Sequence, residues 1–378
     1  MSAPAPSRAI VDLNAYAKNL NAVRARIPKE CGIVAVIKAD AYGHGAVQVA
    51  RKAVAEGVRM VAVAAVSEAI ELREAGIEAP VLLLVQPDAD ALAAAIEANV
   101  RLMISDVQTA ERLGELARKA NKVVPIHCKI DTGMGRQGFS SETAVRDLLS
   151  LTKISHVDIE GIATHFAVAD STRDSFTSTQ LRVFRQVLRQ IEKEGIPYEM
   201  AHAANSGGVV NHEGSTFDMV RVGLMAYGVW PSDTPPAAHV LTPVLRWESK
   251  IVLIKELAGG ASIGYGRTFT THEASRVGVV PVGYADGYPL SLSNRASVLV
   301  RGKRCPVRGR VSMDQIVVEL NDVPNASCGD AVTIIGSDGG ESITAAELAE
   351  RGGTIPYEIL TGIGKRVTRE YVGVVKEH

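Results

Sequence analysis

The residue in this sequence best placed for chemistry is Lys38, which directly follows an apolar run rich in β-branched residues, residues 33–37. Such a run is typical of a buried strand of a parallel sheet, and a helical pattern begins soon after it, near Ala46. A lysine at the carboxyl end of a buried strand lies where α/β proteins hold their catalytic groups. The alternative is a lysine that only extends its ammonium group into water. The rest of the chain has to distinguish the two.

Other residues suited to chemistry stand at or just after later apolar runs: Arg136, His165, His202, Asn205, Ser206, Arg221 and Gly223. Two stretches, Asn205-Ser-Gly-Gly208 and Arg221-Val-Gly-Leu224, offer a hydroxyl and backbone N–H groups that suit a phosphate. Each residue alone also has a structural explanation, such as a satisfied core histidine, a helix N-cap or a loop salt bridge. Their meaning depends on whether the fold brings them together.

The elements that must position these residues are short apolar runs that alternate with helical patterns. The runs are residues 33–37, 60–64, 81–85, 101–104, 123–130, 157–163, 198–203 and 218–222. Eight such units predict an α/β fold, a closed (β/α)8 TIM barrel; a doubly wound open sheet is the rival, but no GxGxxG follows the first strand. In a barrel the carboxyl ends of all strands meet on one rim. A lysine and a phosphate cradle on that rim, without a metal cluster, suggest pyridoxal phosphate held as a Schiff base.

The alternation stops around Trp230-Pro-Ser-Asp-Thr-Pro-Pro236, which we interpret as a domain boundary. The segments beyond it are β-type, at residues 244–254, 277–282, 296–300, 305–311, 316–320 and 331–335, with one helix at 344–350. We therefore predict a barrel domain over residues 12–240 and a mostly-β domain over residues 241–378. The N-terminal strand within residues 1–11 could join the second domain.

Composition indicates a globular protein without a nucleic-acid or membrane partner. Of the 378 residues, 46% are hydrophobic and 22% are charged, and the formal net charge is −1, so no basic field attracts nucleic acid or anionic lipid. The segment from Met1 to Arg8 is short, polar and proline-bearing, so we expect no secretory signal, and no apolar run reaches membrane-spanning length. We expect a reducing cytoplasm, no zinc site and no disulfide framework, because the cysteines are far apart and form no CxxC pair: Cys31, Cys128, Cys305 and Cys328.

The chain resembles the alanine racemases from Arg8 to about Tyr371. The motifs that carry the resemblance are Val36-Ile-Lys-Ala-Asp-Ala-Tyr-Gly-His-Gly45, Lys129-Ile-Asp-Thr-Gly-Met-Gly-Arg136, His202-Ala-Ala-Asn-Ser206, Arg221-Val-Gly223, Ile263-Gly-Tyr-Gly266 and Gly309-Arg-Val-Ser-Met-Asp314. The resemblance implies pyridoxal 5'-phosphate as the cofactor, in a two-domain subunit of the fold type III class. It also implies a head-to-tail homodimer, in which the partner's second domain completes each barrel mouth.

The resemblance further implies a role for each matching residue. Lys38 is expected to be the Schiff-base lysine and one catalytic base, and Tyr265 of the partner subunit the second base. The other expected cofactor-binding residues are Tyr42, Arg136, His165, Asn205, Ser206, Arg221, Gly223, Leu224 and Tyr357. The substrate carboxylate is assigned to Arg136, Met313 and Asp314, and the substrate entrance to Tyr284 and Arg310. Lys129 matches a lysine that family members can carry as a carbamate beside Arg136; an ordinary structural lysine is the alternative.

These assignments are chemically coherent as a two-base site. Racemisation removes a proton from one face of Cα and returns one to the other, so bases on opposite faces serve better than one. Arg221 can only donate hydrogen bonds and should leave the pyridine nitrogen of the cofactor unprotonated. The ordinary pKa of a tyrosine hydroxyl is about 10, and lowering it by about three units requires roughly 4 kcal/mol. Arg221 acting through His165 is the expected source of that stabilisation.

Two positions depart from the family pattern, and several functions stay open. Leu290 stands where the family often has an arginine, and Tyr357 lies in the altered setting Thr354-Ile-Pro-Tyr357.

The first hypothesis is interconversion of L- and D-alanine, which supplies D-alanine for bacterial peptidoglycan. The alternatives are a racemase of broader specificity, for example on serine, a barrel that binds pyridoxal phosphate without catalysis, and a decarboxylase, which needs a catalytic cysteine late in the chain.

Overall fold

The structure is a computed structural model that describes residues 6–231 and 241–375. It divides into two units. The barrel unit contains Tyr16–Ala41 and Ala46–Thr242, and the β unit contains the chain up to Ala15, Tyr42–Gly45 and Pro243–Val374. Most of the predicted boundary at Trp230-Pro-Ser-Asp-Thr-Pro-Pro236 lies outside the described residues, from residue 232 onward. The chain therefore leaves the barrel unit twice, once for the short segment after Ala41 and once before Pro243.

The apolar runs of the barrel unit form short buried strands, because continuous apolar sequence suits a strand that is covered on both faces. In chain order the first elements are β1 (Arg8–Asp12), α1 (Leu13–Arg24), β2 (Gly32–Val36), α2 (Lys38–Gly43), α3 (Ala46–Ala55), β3 (Met60–Val63), α4 (Val66–Glu74), β4 (Val81–Leu83), α5 (Leu92–Glu97), β5 (Arg101–Ile104), α6 (Val107–Lys119), β6 (Val124–Asp131), β7 (Phe139–Ser140), α7 (Ala144–Leu151), β8 (Val157–Ala163), α8 (Phe176–Lys193), β9 (Met200–His202), α9 (Ser206–Asn211) and β10 (Met219–Val222). Each of the eight predicted runs overlaps one strand, which confirms the predicted alternation.

Eight of these strands close a barrel. Parallel neighbours follow the order β5-β4-β3-β2-β10-β9-β8-β6, and the pairing of β5 with β6 completes the ring. A β-bulge interrupts the β6–β8 pair: Ile126 lies opposite Ile159, but His127 lies opposite Gly161, so Glu160 is an extra residue on β8. The predicted (β/α)8 barrel is confirmed, and its geometry places the residues that follow each strand on one rim.

The β unit is built from several antiparallel pairings. Its further elements are β11 (Leu245–Lys250), β12 (Leu253–Leu257), β13 (Ser262–Ile263), β14 (Phe269–Thr270), β15 (Ser275–Val280), β16 (Ser297–Val300), β17 (Lys303–Pro306), β18 (Ile316–Glu319), β19 (Ala331–Asp338), β20 (Glu341–Ile343), α10 (Ala345–Gly352), α11 (Pro356–Gly362) and β21 (Thr368–Val372). The largest sheet has the order β17-β16-β19-β11-β1-β21, with β20 beside β19. The mostly-β second fold is confirmed. The sequence pattern predicts one helix here, and the structure adds a second, α11, which begins at a proline.

Candidate active site

The turn after β2 presents Lys38 at the start of a left-handed helical segment. Residues 39–42 all have φ between +52° and +54°. This conformation costs about 1–2 kcal/mol per non-glycine residue, so other contacts have to hold it. Glu68 provides one, because its Oε1 accepts a hydrogen bond at 2.5 Å from the backbone N–H that follows Lys38. Asp40 provides another through Oδ1, which accepts from the Ala46 N–H at 2.7 Å.

Replacing Ala39 by glycine should stabilise the folded protein by up to about 1 kcal/mol, because glycine adopts positive φ without a Cβ clash. Ala39 is exposed, so little packing is lost. The matched control is Ala93→Gly, at an exposed position of the helix α5, which should cost up to about 1 kcal/mol. Denaturant unfolding measures both variants. An equal loss of stability in the two would contradict a strained turn at Lys38.

Four cationic side chains interact electrostatically at the rim of the barrel: Lys38, Lys129, Arg136 and Arg221. Burial and then the charge of Arg136 lower the pKa of Lys38, against an opposing effect of Glu68. Burial, Arg221 and Arg136 lower the pKa of Lys129 to about 8. This concentration of positive charge suits anionic ligands such as a phosphate or a carboxylate. It also raises the neutral fraction of Lys38, which is the form that acts as base and nucleophile.

Arg221 is buried in β10, and its guanidinium is held from several sides. Nη1 donates to Nδ1 of His202 at 2.7 Å and to the His202 carbonyl oxygen at 3.1 Å. Nη2 donates to the carbonyl oxygens of Thr164 and Ala203, at 2.7 and 2.9 Å, and to Nδ1 of His165 at 3.1 Å. Among the residues that the structure describes, none accepts from its Nε–H. A buried guanidinium with one spare donor fits an unprotonated ring nitrogen, which can only accept.

A buried hydrogen-bonded chain that the sequence pattern does not predict continues behind Arg221. Nε2 of His202 lies 2.7 Å from Nδ1 of His127, and Nε2 of His127 lies 2.9 Å from Oε2 of Glu160. Arg101 Nε donates to both carboxylate oxygens of Glu160, at 2.8 and 3.0 Å. The available signal was a histidine and a glutamate inside strands that are otherwise largely apolar. Burial lowers the pKa of both histidines, which are therefore neutral at pH 7.

Acidification below about pH 6.5 should destabilise the protein steeply, because His127 and His202 stay neutral when folded but take up protons when unfolded. Since both folded pKa values lie below the ordinary value of 6.5, the stabilisation is complete above that pH and is lost as the pH falls towards the folded values. These two groups should together contribute up to about 2.7 kcal/mol per pH unit to the fall in the free energy of unfolding. His165, whose pKa is also lowered by burial, adds to the same slope. Denaturant unfolding at a series of pH values measures this slope. It should persist in the surface variant His272→Gln, and a flat profile would contradict the buried neutral pair.

The predicted phosphate cradle lies between α9 and the end of β10. The hydroxyl of Ser206 accepts from the Gly223 N–H at 3.2 Å, which joins the two motifs that sequence analysis singled out. The Leu224 N–H donates to no residue in the described part of the chain. Asn205 caps α9 through its side-chain oxygen, so its side-chain amide N–H groups are its remaining donors. The predicted cradle therefore offers the proton of the Ser206 hydroxyl and the N–H of Leu224 within one short loop pair.

Two tyrosines assigned to the phosphate, Tyr42 and Tyr357, belong to the β unit and contact each other, with ring centroids 5.7 Å apart. Burial and then Tyr357 raise the pKa of Tyr42, so its hydroxyl keeps its proton at neutral pH. A Cβ atom at Gly43 would lie 2.3 Å from the Leu360 carbonyl oxygen. Glycine is therefore required for the close approach of α11 to the residue after Tyr42.

Tyr265 lies in a 3-10 turn of the β unit and is 71% exposed. Its neighbours Gly264 and Gly266 both have φ of +70°, and a Cβ atom at Gly264 would lie 3.3 Å from the backbone nitrogen of Arg310. Arg310, which was assigned to the substrate entrance, is therefore beside this turn. A tyrosine with this exposure does not pack in the core of its own chain.

Tyr284 and Met313 form a second exposed group in the β unit. Their side chains are 46% and 52% exposed, and the N–H of Ala285 donates to the Met313 carbonyl oxygen at 3.0 Å. The Met313 N–H has no hydrogen-bond acceptor among the described residues, so it is available to a carboxylate. The carboxylate of Asp314 pairs with Arg366 at 2.8 Å.

Within residues 6–231 and 241–375, no three His, Cys, Asp or Glu side chains are grouped to hold a metal ion. The four cysteines are free, and only Cys328 is exposed. None of the described helices combines the length and the apolar character that crossing a membrane requires.

Fold and site together define a class of protein: a (β/α)8-barrel enzyme that carries a lysine and a buried arginine at the ends of its strands. Comparison with known families agrees. The family model described as alanine racemase, N-terminal domain, matches residues 11–231, and that of the alanine racemase C-terminal domain matches residues 244–371.

Relatives of this chain match it over nearly its full length. The alanine racemases of Halothermothrix orenii and Symbiobacterium thermophilum are each 41% identical, over 97% of this chain and 97% of their own. The solved alanine racemase of Clostridium difficile 630 has a TM-score of 0.94 at 34% identity, covering 99% of this chain and 98% of that one. That of Bartonella henselae, with covalently bound pyridoxal phosphate, has a TM-score of 0.88 at 29% identity, covering 98% and 100%. The chain belongs to the alanine racemase family.

Proposed function

We propose that this protein interconverts L-alanine and D-alanine with pyridoxal 5'-phosphate as cofactor, and so supplies D-alanine for peptidoglycan. The observation that carries the proposal is the buried Arg221, whose Nε–H has no acceptor among the described residues. A donor-only group keeps a pyridine nitrogen unprotonated, which weakens the cofactor as an electron sink and so disfavours transamination. Membership of the alanine racemase family supports the same reaction.

The residues of this chain fit the cofactor chemically. Lys38 would hold it covalently through its amine, and the Nε–H of Arg221 would donate to its ring nitrogen. Its phosphate would take hydrogen bonds from the hydroxyl of Ser206 and the N–H of Leu224, with Gly223 in the same loop. Tyr42, Tyr357 and Asn205 are proposed as further ligands. When bound, the cofactor supplies the conjugated system that delocalises negative charge from Cα.

Lys38 and Tyr265 would move the protons at Cα. The lowered pKa of Lys38 favours the neutral amine, which takes or returns the proton on one face, while Tyr265 of the partner subunit serves the other. Since Arg221 donates to Nδ1 of His165, a neutral His165 carries its proton on Nε2 and can donate it to a phenolate oxygen. Burial and Arg221 lower the pKa of His165 well below its ordinary value, so that donor is neutral.

Arg136, the Met313 N–H and Asp314 are the groups proposed for the substrate carboxylate. Tyr284 and Arg310 are proposed for the substrate entrance. We further propose domain boundaries at residues 12–240 and 241–378, a head-to-tail homodimer and a cytoplasmic location. The 71% exposure of Tyr265 supports the dimer, because a proton carrier needs a site that excludes water.

The test follows purified, cofactor-loaded protein with L- or D-alanine in deuterated solvent. We expect deuterium at Cα of the inverted product from either enantiomer. A bound cofactor without Cα exchange in any amino acid would favour a carrier protein, and exchange with serine but not alanine would contradict the proposed substrate.

We also propose that Lys129 is carbamylated. A pKa of about 8 leaves part of its amine free to react with CO2, and the resulting anion would lie under the influence of Arg221, Arg136 and Lys38. In 13C-bicarbonate we expect one carbamate carbon signal, which Lys129→Met abolishes while lowering kcat/KM by about tenfold or more. The exposed control Lys119→Met should keep the signal. A wild-type protein without it would contradict carbamylation.

A further inference from the structure

The hydrogen-bonded chain behind Arg221 runs in one fixed direction; we name Arg221, His202, His127 and Glu160 the relay. Arg221 can only donate, so Nδ1 of His202 has to accept, and a neutral His202 then carries its proton on Nε2. That proton lies between Nε2 of His202 and Nδ1 of His127, which are 2.7 Å apart. His127 therefore carries its own proton on Nε2, 2.9 Å from the carboxylate of Glu160.

A protonated, cationic form of His127 or of His202 does not fit this geometry. A cationic His127 would donate from both ring nitrogens, and His202 would then have to accept at both of its own, which a neutral imidazole cannot do. A cationic His202 would direct a second donor at Arg221. The direction of the relay is thus set at one end by a guanidinium and at the other by a carboxylate.

Two local features of the barrel strands place Glu160 at the end of the relay. The β-bulge makes Glu160 an extra residue on β8, and bulges re-aim side chains in this way. At the next position, a Cβ atom on Gly161 would lie 2.4 Å from Nδ1 of His127, so glycine leaves room for the ring. Arg101 contacts both oxygens of Glu160. Burial alone would raise the pKa of Glu160, but His127 and Arg101 lower it by a larger amount, so the pKa lies below its ordinary value. The carboxylate is therefore ionised and can only accept hydrogen bonds.

We propose that Glu160 is a positioning residue for racemisation: through His127 and His202 it holds Arg221 in the orientation that leaves Nε–H free for the cofactor. This inference rests on the proposed function of the site. Without an acceptor at the end of the relay, the two imidazoles can rotate or exchange tautomers. Nη1 of Arg221 then loses its ring acceptor on His202, at 2.7 Å, and keeps only the His202 carbonyl oxygen, at 3.1 Å. The spare donor is then no longer held on the side where the cofactor ring would lie.

The direct test is nuclear magnetic resonance of 15N-histidine-labelled holoenzyme. Among the described histidines, His127 and His202 are the pair whose ring nitrogens lie within hydrogen-bond distance, so coupling across an N–H···N bond identifies them. We expect both rings to carry the proton on Nε2. A proton on Nδ1 of either ring in the wild-type protein overturns the inference. That outcome is independent of activity, whereas the failure of the proposed function would appear as wild-type protein that does not racemise alanine.

Two variants of Glu160 separate a positioning role from a merely structural one. Glu160→Gln keeps an acceptor of the same size, and we expect it to retain the N–H···N coupling and most of the activity. Glu160→Leu removes the acceptor; we expect loss of the coupling and a fall in kcat/KM on the order of 10- to 100-fold. The control Glu56→Leu breaks the Lys52–Glu56 ion pair, at 3.0 Å, and should change neither. Full activity and intact coupling in Glu160→Leu would overturn the proposal.

Discussion

Alanine racemisation should fall by about four orders of magnitude or more when Lys38 is replaced by alanine, because the variant loses both the amine that holds the cofactor and one of two proton carriers. The fold should survive the change. Lys38 is a partly buried cation whose pKa is lowered by burial and by Arg136, so its removal relieves repulsion on the rim. The measurement is racemisation and Cα deuterium exchange from each enantiomer, together with thermal unfolding.

The matched control for this change is Lys38→Arg. It keeps the positive charge on the rim but offers no primary amine and no accessible neutral form, so we expect it to be as inactive as Lys38→Ala. Substantial racemisation by Lys38→Arg would reduce the role of Lys38 to electrostatics. Unimpaired racemisation by Lys38→Ala would remove it from the mechanism.

The barrel could be predicted from sequence because its signal is local. Each strand is a short apolar run, and each helix carries its own periodicity, so counting the units was enough to select the fold. The rim residues followed from the same count, since a residue such as Lys38 or His165, which stands two positions after the end of a barrel strand, lies near the mouth of the barrel. The helix α11 was missed because it is short and depends on packing more than on periodicity.

The left-handed turn and the relay could not be predicted, because both depend on contacts between distant parts of the chain. The turn at residues 39–42 is held in part by Glu68, which lies on another helix. Glu160 joins the relay through a bulge, and a one-residue change of register leaves no local mark in an apolar strand. Gly161 was the available hint, since glycine inside a strand often marks the close approach of another group.

Replacing Tyr265 by phenylalanine should separate proton exchange from racemisation. The variant keeps Lys38, so one enantiomer should still exchange its Cα proton with solvent and retain its configuration. Inversion needs a proton carrier on the other face, and we expect racemisation to fall by about 10²- to 10⁴-fold. Tyr198→Phe is the matched control, because Tyr198 is a partly exposed tyrosine of the barrel unit that has no assigned role in the site. Equal losses of exchange from both enantiomers would contradict a two-base site.

The same variant tests whether Tyr265 acts in the partner's site. Lys38→Ala and Tyr265→Phe proteins should each racemise alanine only weakly alone, but a mixed dimer would contain one doubly altered site and one intact site. With random exchange of subunits, half of the dimers are mixed, so about a quarter of all sites should be intact. Recovered activity near that fraction would place the two bases on different chains. If subunit exchange is demonstrated by mass-labelled protein and activity does not return, Lys38 and Tyr265 of one chain have to serve the same site.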